Sequence, residues 1–196
     1  MKKVLLLLAN GFEVHEASAF IDVTGWNKIY GSRDTGLLTC GLFANLKSTF
    51  DLKVKVDHLI SEVRVDEFEA LAIPGGFEPY GFYEDAFHPD FLHLIRQFNA
   101  AGKTIATVCV GALPVGKSGI LKGRTGTTYY LSGGKRQKQL AEFGVIIGNE
   151  PIVEDGNIIT SRGPSTAMEV AFRLLEKLTD KENTRKIKTL MGFLPA

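Results

Sequence analysis

Cysteine is scarce in this chain, with two residues among 196. Two thiols cannot build a disulfide scaffold, so the fold must rest on an apolar core, and both cysteines read as thiols of a reducing compartment. Charge of one sign is lacking too. Lys and Arg number 23 against 22 Asp and Glu, a formal net charge of +1. That balance excludes the strong basic excess of a dedicated nucleic-acid or polyanion binder. Long apolar runs are also missing, since none approaches the roughly 20 residues needed to span a bilayer. Met1-Lys2-Lys3 followed by VLLLLA superficially resembles a secretory signal, but Asn10-Gly11 closes the run at or below the ~7–15 residues of a signal core. A soluble, cytoplasmic protein with neither nucleic-acid nor membrane partners is expected. What the chain does have is 44% hydrophobic residues, which excludes general disorder, and 21 glycines with no repeating period.

The hydrophobic pattern alternates between strands and helices. Val4–Ala9, Ala70–Ile73 and Thr104–Val108 are short apolar runs of the kind buried on both faces of a parallel sheet. Leu37–Leu46 and Leu52–Ile60 look extended. Leu52, Val54 and Val56 alternate with Lys53, Lys55 and Asp57, which suggests a strand near a sheet edge with one wet face. Helices are expected over Glu16–Ile29, from Pro89 to Gly102, over Leu131–Phe143, and after Pro164. Thr166 and Glu169 there fit a capping box. Ile152–Thr160 reads as a hairpin turning at Asp155-Gly156. The tail from Asn183 to Ala196 carries Ile187, Leu190, Met191 and Phe193, too apolar to hang free, and is expected to pack on its own domain or on a second subunit. The class is α/β, a mostly parallel sheet with helices on both faces, in a single domain over residues 1–196.

Glycine recurs just past these strands, at Gly75, Gly76, Gly111 and Gly163. Strand carboxyl ends are where ligands bind in open parallel sheets, although loop glycines also occur there for turns alone. Gly111-Ala112-Leu113-Pro114-Val115-Gly116-Lys117-Ser118 satisfies the phosphate-loop pattern. A working phosphate loop needs a helix starting at its Lys-Ser end, whereas Gly119 and Gly123 follow here. The same stretch also reads as a strand-to-helix elbow with Cys109 at its apex, where a helix amino terminus would favour the thiolate. A buried structural thiol fits that position as well, and the same reading suits Cys40.

Four segments in order, VLLLLANGFEVHEAS, LAIPGG, TIATVCVGALPVGKSGILKGRTGTTY and GNIITSRGPSTAMEVAFRLLE, resemble the ThiJ/PfpI superfamily. Its relatives include the Parkinsonism-associated deglycase and the class I glutamine amidotransferases. The resemblance implies a flavodoxin-like three-layer α/β sandwich with Cys109 as elbow nucleophile and the Glu16 carboxylate beside it. It also implies an oxyanion pocket from the Gly75 and Gly76 amides, with Arg162 close by, and a homodimer. Two departures stand out. Protease-like members place His after the nucleophile, where this chain has Val110, and other members carry a downstream His where Tyr129-Tyr130 stand. His15 neighbours Glu16, while His58, His88 and His93 read as surface residues.

Proteolysis and glutamine hydrolysis therefore lack a placed base. Tyr129 remains a group that positions substrate. The expectation is glyoxalase- or deglycase-like chemistry, with Cys109 adding to a small aldehyde or dicarbonyl. The rivals are a redox-sensing or stress protein working through oxidation of Cys109, which the missing His favours, and nucleotide binding through GALPVGKS. No cofactor is expected, and no Cys/His pair has metal-ligand spacing. Lys135, Arg136 and Lys138 read as a solvated helix face.

Overall fold

The amino-terminal apolar run forms strand β1 (Lys2–Leu7), whose residues Val4 to Leu7 are fully buried. In this computed structural model, which describes residues 1–194, the chain continues into α1 (Val14–Tyr30) and β2 (Thr35–Gly41). A small antiparallel ribbon, β3 (Asn45–Lys47) with β4 (Lys53–Lys55), precedes β5 (His58–Leu59) and β6 (Ala70–Ile73). Then come α2 (Phe82–Ala86), α3 (Pro89–Ala100), β7 (Thr104–Thr107), α4 (Ala112–Lys117), β8 (Thr125–Gly126) and α5 (Lys135–Glu142). The chain closes with β9 (Ile146–Ile147), β10 (Ile152–Asp155), β11 (Ile158–Ser161), α6 (Ala167–Leu178) and α7 (Lys181–Leu190).

Seven strands form the main sheet in the order β10-β11-β7-β6-β1-β2-β5. Every neighbouring pair is parallel except the β10–β11 hairpin. Helices α1, α6 and α7 pack against one another in one layer, and α2 to α5 form a second chain of contacts. This is the mostly parallel, helix-covered sheet that was expected. After β1 the chain moves outward to β2, then returns to place β6 on the other side. The crevice above the carboxyl ends of β1 and β6 is thus the topological switch point.

Several expected elements differ in extent. The segment 52–60 does not run as one strand. Only Lys53–Lys55 is extended, and it pairs with β3 outside the main sheet, whose edge is instead the two-residue β5. The run from Leu37 ends at Gly41, before β3. The helix over 131–143 shrinks to α5, because Gly133 and Gly134 both adopt positive φ (73° and 71°) and break its start. Asp155 pairs with Ile158, so the hairpin turns at Gly156-Asn157, one residue later than expected. The capping box is absent: the Thr166 hydroxyl donates to the Gly163 carbonyl (2.7 Å), and Glu169 pairs with Lys188 (2.7 Å).

Candidate active site

Cys109 sits at the apex of a sharp turn. Val108 is still extended, Cys109 takes φ +56°, and a single tight turn over Cys109–Gly111 leads into α4. A left-handed cysteine costs about 1–2 kcal/mol of backbone strain. Strain of that kind persists only where surrounding contacts fix it. Here Val108 N–H donates to the Ile73 carbonyl (3.1 Å), and the Thr128 hydroxyl donates to the Cys109 carbonyl (2.9 Å). The elbow expected from the sequence is present in backbone geometry.

Glycine lets the loop after β6 press against this elbow. A Cβ on Gly75 would stand 2.9 Å from the Val110 nitrogen and 3.0 Å from Glu16 Oε2, closer than real side chains allow. Gly75 N–H donates to Glu16 Oε2 at 2.6 Å. That amide is occupied and is not the oxyanion donor that the resemblance implied. Gly76 N–H has no acceptor among the described residues and lines the cavity over the thiol. The Val110 N–H, directed at the sulfur, stabilises negative charge there. Gly76 N–H is thus the loop amide without an acceptor among the described residues, while Val110 N–H serves the sulfur.

Glu16 is completely buried (0% exposed) in the first turns of α1. Burial, reinforced by the neighbouring Glu13 charge, pushes its pKa up to about 8, against the pull of the Gly75 N–H. At neutral pH it is a carboxylic acid. Its second oxygen, Oε1, has no hydrogen-bond partner; the Glu16 proton favours the neighbouring Glu13 carboxylate, while the Cys109 thiol is a donor toward Glu16. Glu13 was not anticipated from the sequence. Burial raises its pKa too, opposed by its interaction with Glu16 and by the His15 charge. The signal was there to read, because residues three apart at a helix start share a face.

The Cys109 thiol is 7% exposed. Burial pushes its pKa up, and negative charge on Glu16 would push it further, while Val110 N–H opposes both. Burial thus opposes the acidic thiol expected from a helix amino terminus. A protonated Glu16 removes the like-charge cost and can donate to the thiolate. Cys40 is a fully buried core thiol, its pKa driven up by desolvation.

Above the thiol lies a cavity of about 370 Å³, lined by Cys109, Val110, Gly76, Glu13 and Tyr129 together with Tyr83 and Arg136. Arg136 corrects the reading of a solvated basic face. Its side chain is 16% exposed, it donates to Glu78 Oε2 (2.6 Å), and its guanidinium lies 4.6 Å over the Tyr83 ring. The Tyr83 hydroxyl is buried without a partner, and burial holds its pKa up, so it stays a neutral phenol. Arg162 is not part of the cavity wall. It donates to the Asn149 carbonyl (2.6 Å) and stacks at 4.8 Å on Tyr130. His15 and His93 are exposed. His88 is an N-cap accepting from Asp90 N–H, and His58 is half-buried against Phe68 (6.5 Å) rather than free at the surface.

A protein-family model, the DJ-1/PfpI family, matches residues 2–177. The chain belongs to the DJ-1/PfpI family. It is 29% identical over 191 residues to protein dj-1beta of Drosophila melanogaster, covering 95% of this chain and 94% of that one. It is 32% identical over 165 residues to deglycase PfpI of Pyrococcus furiosus, covering 83% and 90%. The crystal structure of Drosophila melanogaster DJ-1beta superposes with a TM-score of 0.82 at 26% identity, covering 97% of each chain. The flavodoxin-like α/β fold implied by the sequence resemblance is the fold of this family.

Within this DJ-1/PfpI scaffold the phosphate-loop match has no phosphate-loop geometry. Lys117 lies in the last residue of α4, its Nζ 4.7 Å from the Phe87 ring centre. The Ser118 hydroxyl donates to the Val115 carbonyl (2.7 Å). The amino terminus of that helix faces Cys109 instead, which removes the basis for nucleotide binding. Among the described residues no three His, Cys, Asp or Glu converge as a metal site, and no helix is long and apolar enough to cross a membrane.

Proposed function

We propose that this protein is a cysteine-dependent enzyme acting on a small carbonyl electrophile, a reactive aldehyde or dicarbonyl, in the manner of a glyoxalase or deglycase. The observation that carries this reading is Cys109 held at φ +56° in a cavity that Gly76 also lines, with the buried, protonated Glu16 beside the thiol. Sulfur adds to the carbonyl carbon, an S–C bond forms, and the π electrons move to oxygen. Gly76 N–H stabilises the developing oxyanion. The thiol proton ends on that oxygen, giving a hemithioacetal.

Glu16 holds the proton but has no exposed surface, whereas Glu13 reaches the cavity wall. The two carboxyls supply a relay between the buried sulfur and the substrate oxygen. The similarity to a deglycase supports the substrate class.

The test compares methylglyoxal consumption and peroxide oxidation in wild type, Cys109→Ser and Glu16→Gln. Consumption that vanishes in Cys109→Ser and falls in Glu16→Gln is expected. No Cys109-dependent consumption, with selective oxidation of Cys109 by peroxide, would replace this reading with the sensor.

A further inference from the structure

The cavity over Cys109 is larger and more apolar than a three-carbon dicarbonyl needs. Its volume of about 370 Å³ lies in the ~300–1,000 Å³ range of sites that enclose drug-sized ligands. At ~30 Å³ per water it corresponds to about a dozen waters.

The polar groups that face a reacting carbonyl, namely Cys109, Glu13 and the Gly76 N–H, share this cavity with Phe77, Pro79, Tyr129, Leu131 and Pro164. Two of these apolar side chains lack cover: Phe77 is 43% exposed and Leu131 is 51% exposed. Tyr129 passes over Gly163, where a Cβ would stand 3.6 Å from its Cδ2. The rim cations lie to one side of this apolar wall: Arg136 and Lys135 share the single carboxylate of Glu78, at 2.6 and 3.4 Å, with Arg136 held over the Tyr83 ring.

We propose that the substrate of Cys109 carries a ring-sized apolar group, aryl or branched alkyl, that lies against Phe77, Tyr129 and Leu131 while its carbonyl carbon meets the sulfur. The carbonyl part rests on the function proposed above; the apolar subsite does not. Burying a group of this size in a hydrophobic pocket gives discrimination of about tenfold or more.

Two measurements separate the parts. In the first, Cys109 is alkylated by iodoacetamide and by its N-phenyl analogue, each rate divided by that of a free small thiol. In the second, Cys109-dependent kcat/KM is compared for phenylglyoxal and methylglyoxal. The expected result is a normalised preference of about tenfold or more for the phenyl reagent in wild type. It collapses in Leu131→Ser and Phe77→Ser, two variants at half-exposed positions that leave the core intact. Phenylglyoxal is also expected to be the better substrate.

Equal normalised alkylation rates in wild type, or a preference that both variants retain, would overturn the subsite. So would a higher kcat/KM for methylglyoxal. A phenyl preference lost in both variants, with neither dicarbonyl consumed, would leave the apolar subsite standing and remove the carbonyl chemistry.

Discussion

Glu16 shows how one buried side chain can tie stability to pH. Its pKa rises on folding from 4.5 to about 8, so the proton binds the native state more tightly than the unfolded chain. The resulting stabilisation is complete below pH 4.5 and is lost as pH rises toward 8. The melting temperature of wild type should therefore fall across that interval. Glu16→Gln, neutral throughout, should flatten the fall and melt several degrees higher at pH 7.5, measured by thermal denaturation at a series of pH values.

Tyr83 makes a second prediction at this scale. Its hydroxyl is buried without a partner, and such a group costs about 1–3 kcal/mol. Tyr83→Phe should raise the melting temperature by a few degrees, measured by thermal denaturation. Cys109 and Glu16 were legible because they lie in segments that resemble the family. Arg136 was not, since three basic residues on a short helix look the same whether one of them folds back over a tyrosine or all three face water.

The strand-to-helix elbow is the element that makes a buried thiol available. Its cost is the left-handed backbone at Cys109, and glycine meets no Cβ penalty there. Cys109→Gly should be more stable than Cys109→Ala by about 1 kcal/mol in urea titration. An ordinary helical or extended residue would give the opposite order, because alanine restricts the unfolded chain more than glycine does.

Hydrophobic pattern alone located β1, β6, β7, α3 and α6, since burial on both faces or on one helical stripe leaves a strong periodic signal. It failed between residues 41 and 60, where the chain makes two-residue and three-residue strands too short for periodicity to mark their ends. It also failed at α5, whose start is set by two left-handed glycines rather than by any apolar spacing. The phosphate-loop match misleads for a related reason. The pattern specifies residue types, while phosphate binding depends on which end of the helix faces the ligand, and α4 points its amino end at Cys109.

Across the whole molecule, the site draws on three separate strand ends. Glu16 follows β1, Gly75 and Gly76 follow β6, and Cys109 follows β7, so correct packing of the sheet and both helical layers sets their spacing. The carboxyl-terminal segment takes part in that packing although the family match stops at residue 177. Ile187 of α7 is fully buried, Asn183 Nδ2 donates to Asn27 Oδ1 in α1 (2.7 Å), and Phe193 meets Phe172 edge-on at 5.2 Å. Of the apolar tail residues, Ile187 thus packs on its own chain while Leu190 and Phe193 stay about half exposed, and Pro195 and Ala196 lie outside the described residues. Ile187→Ala should cost about 2–4 kcal/mol in denaturant unfolding.

The central claim is that Cys109 turns a carbonyl substrate over. The most direct measurement supplies a dicarbonyl in large excess to wild type and Cys109→Ser and counts molecules consumed per thiol, with the mass of the recovered protein recorded. Many turnovers per Cys109, none above background in Cys109→Ser, and wild type recovered at its starting mass is the expected result. Equal consumption by the two proteins, or a single equivalent left bound to or oxidising Cys109, would contradict it.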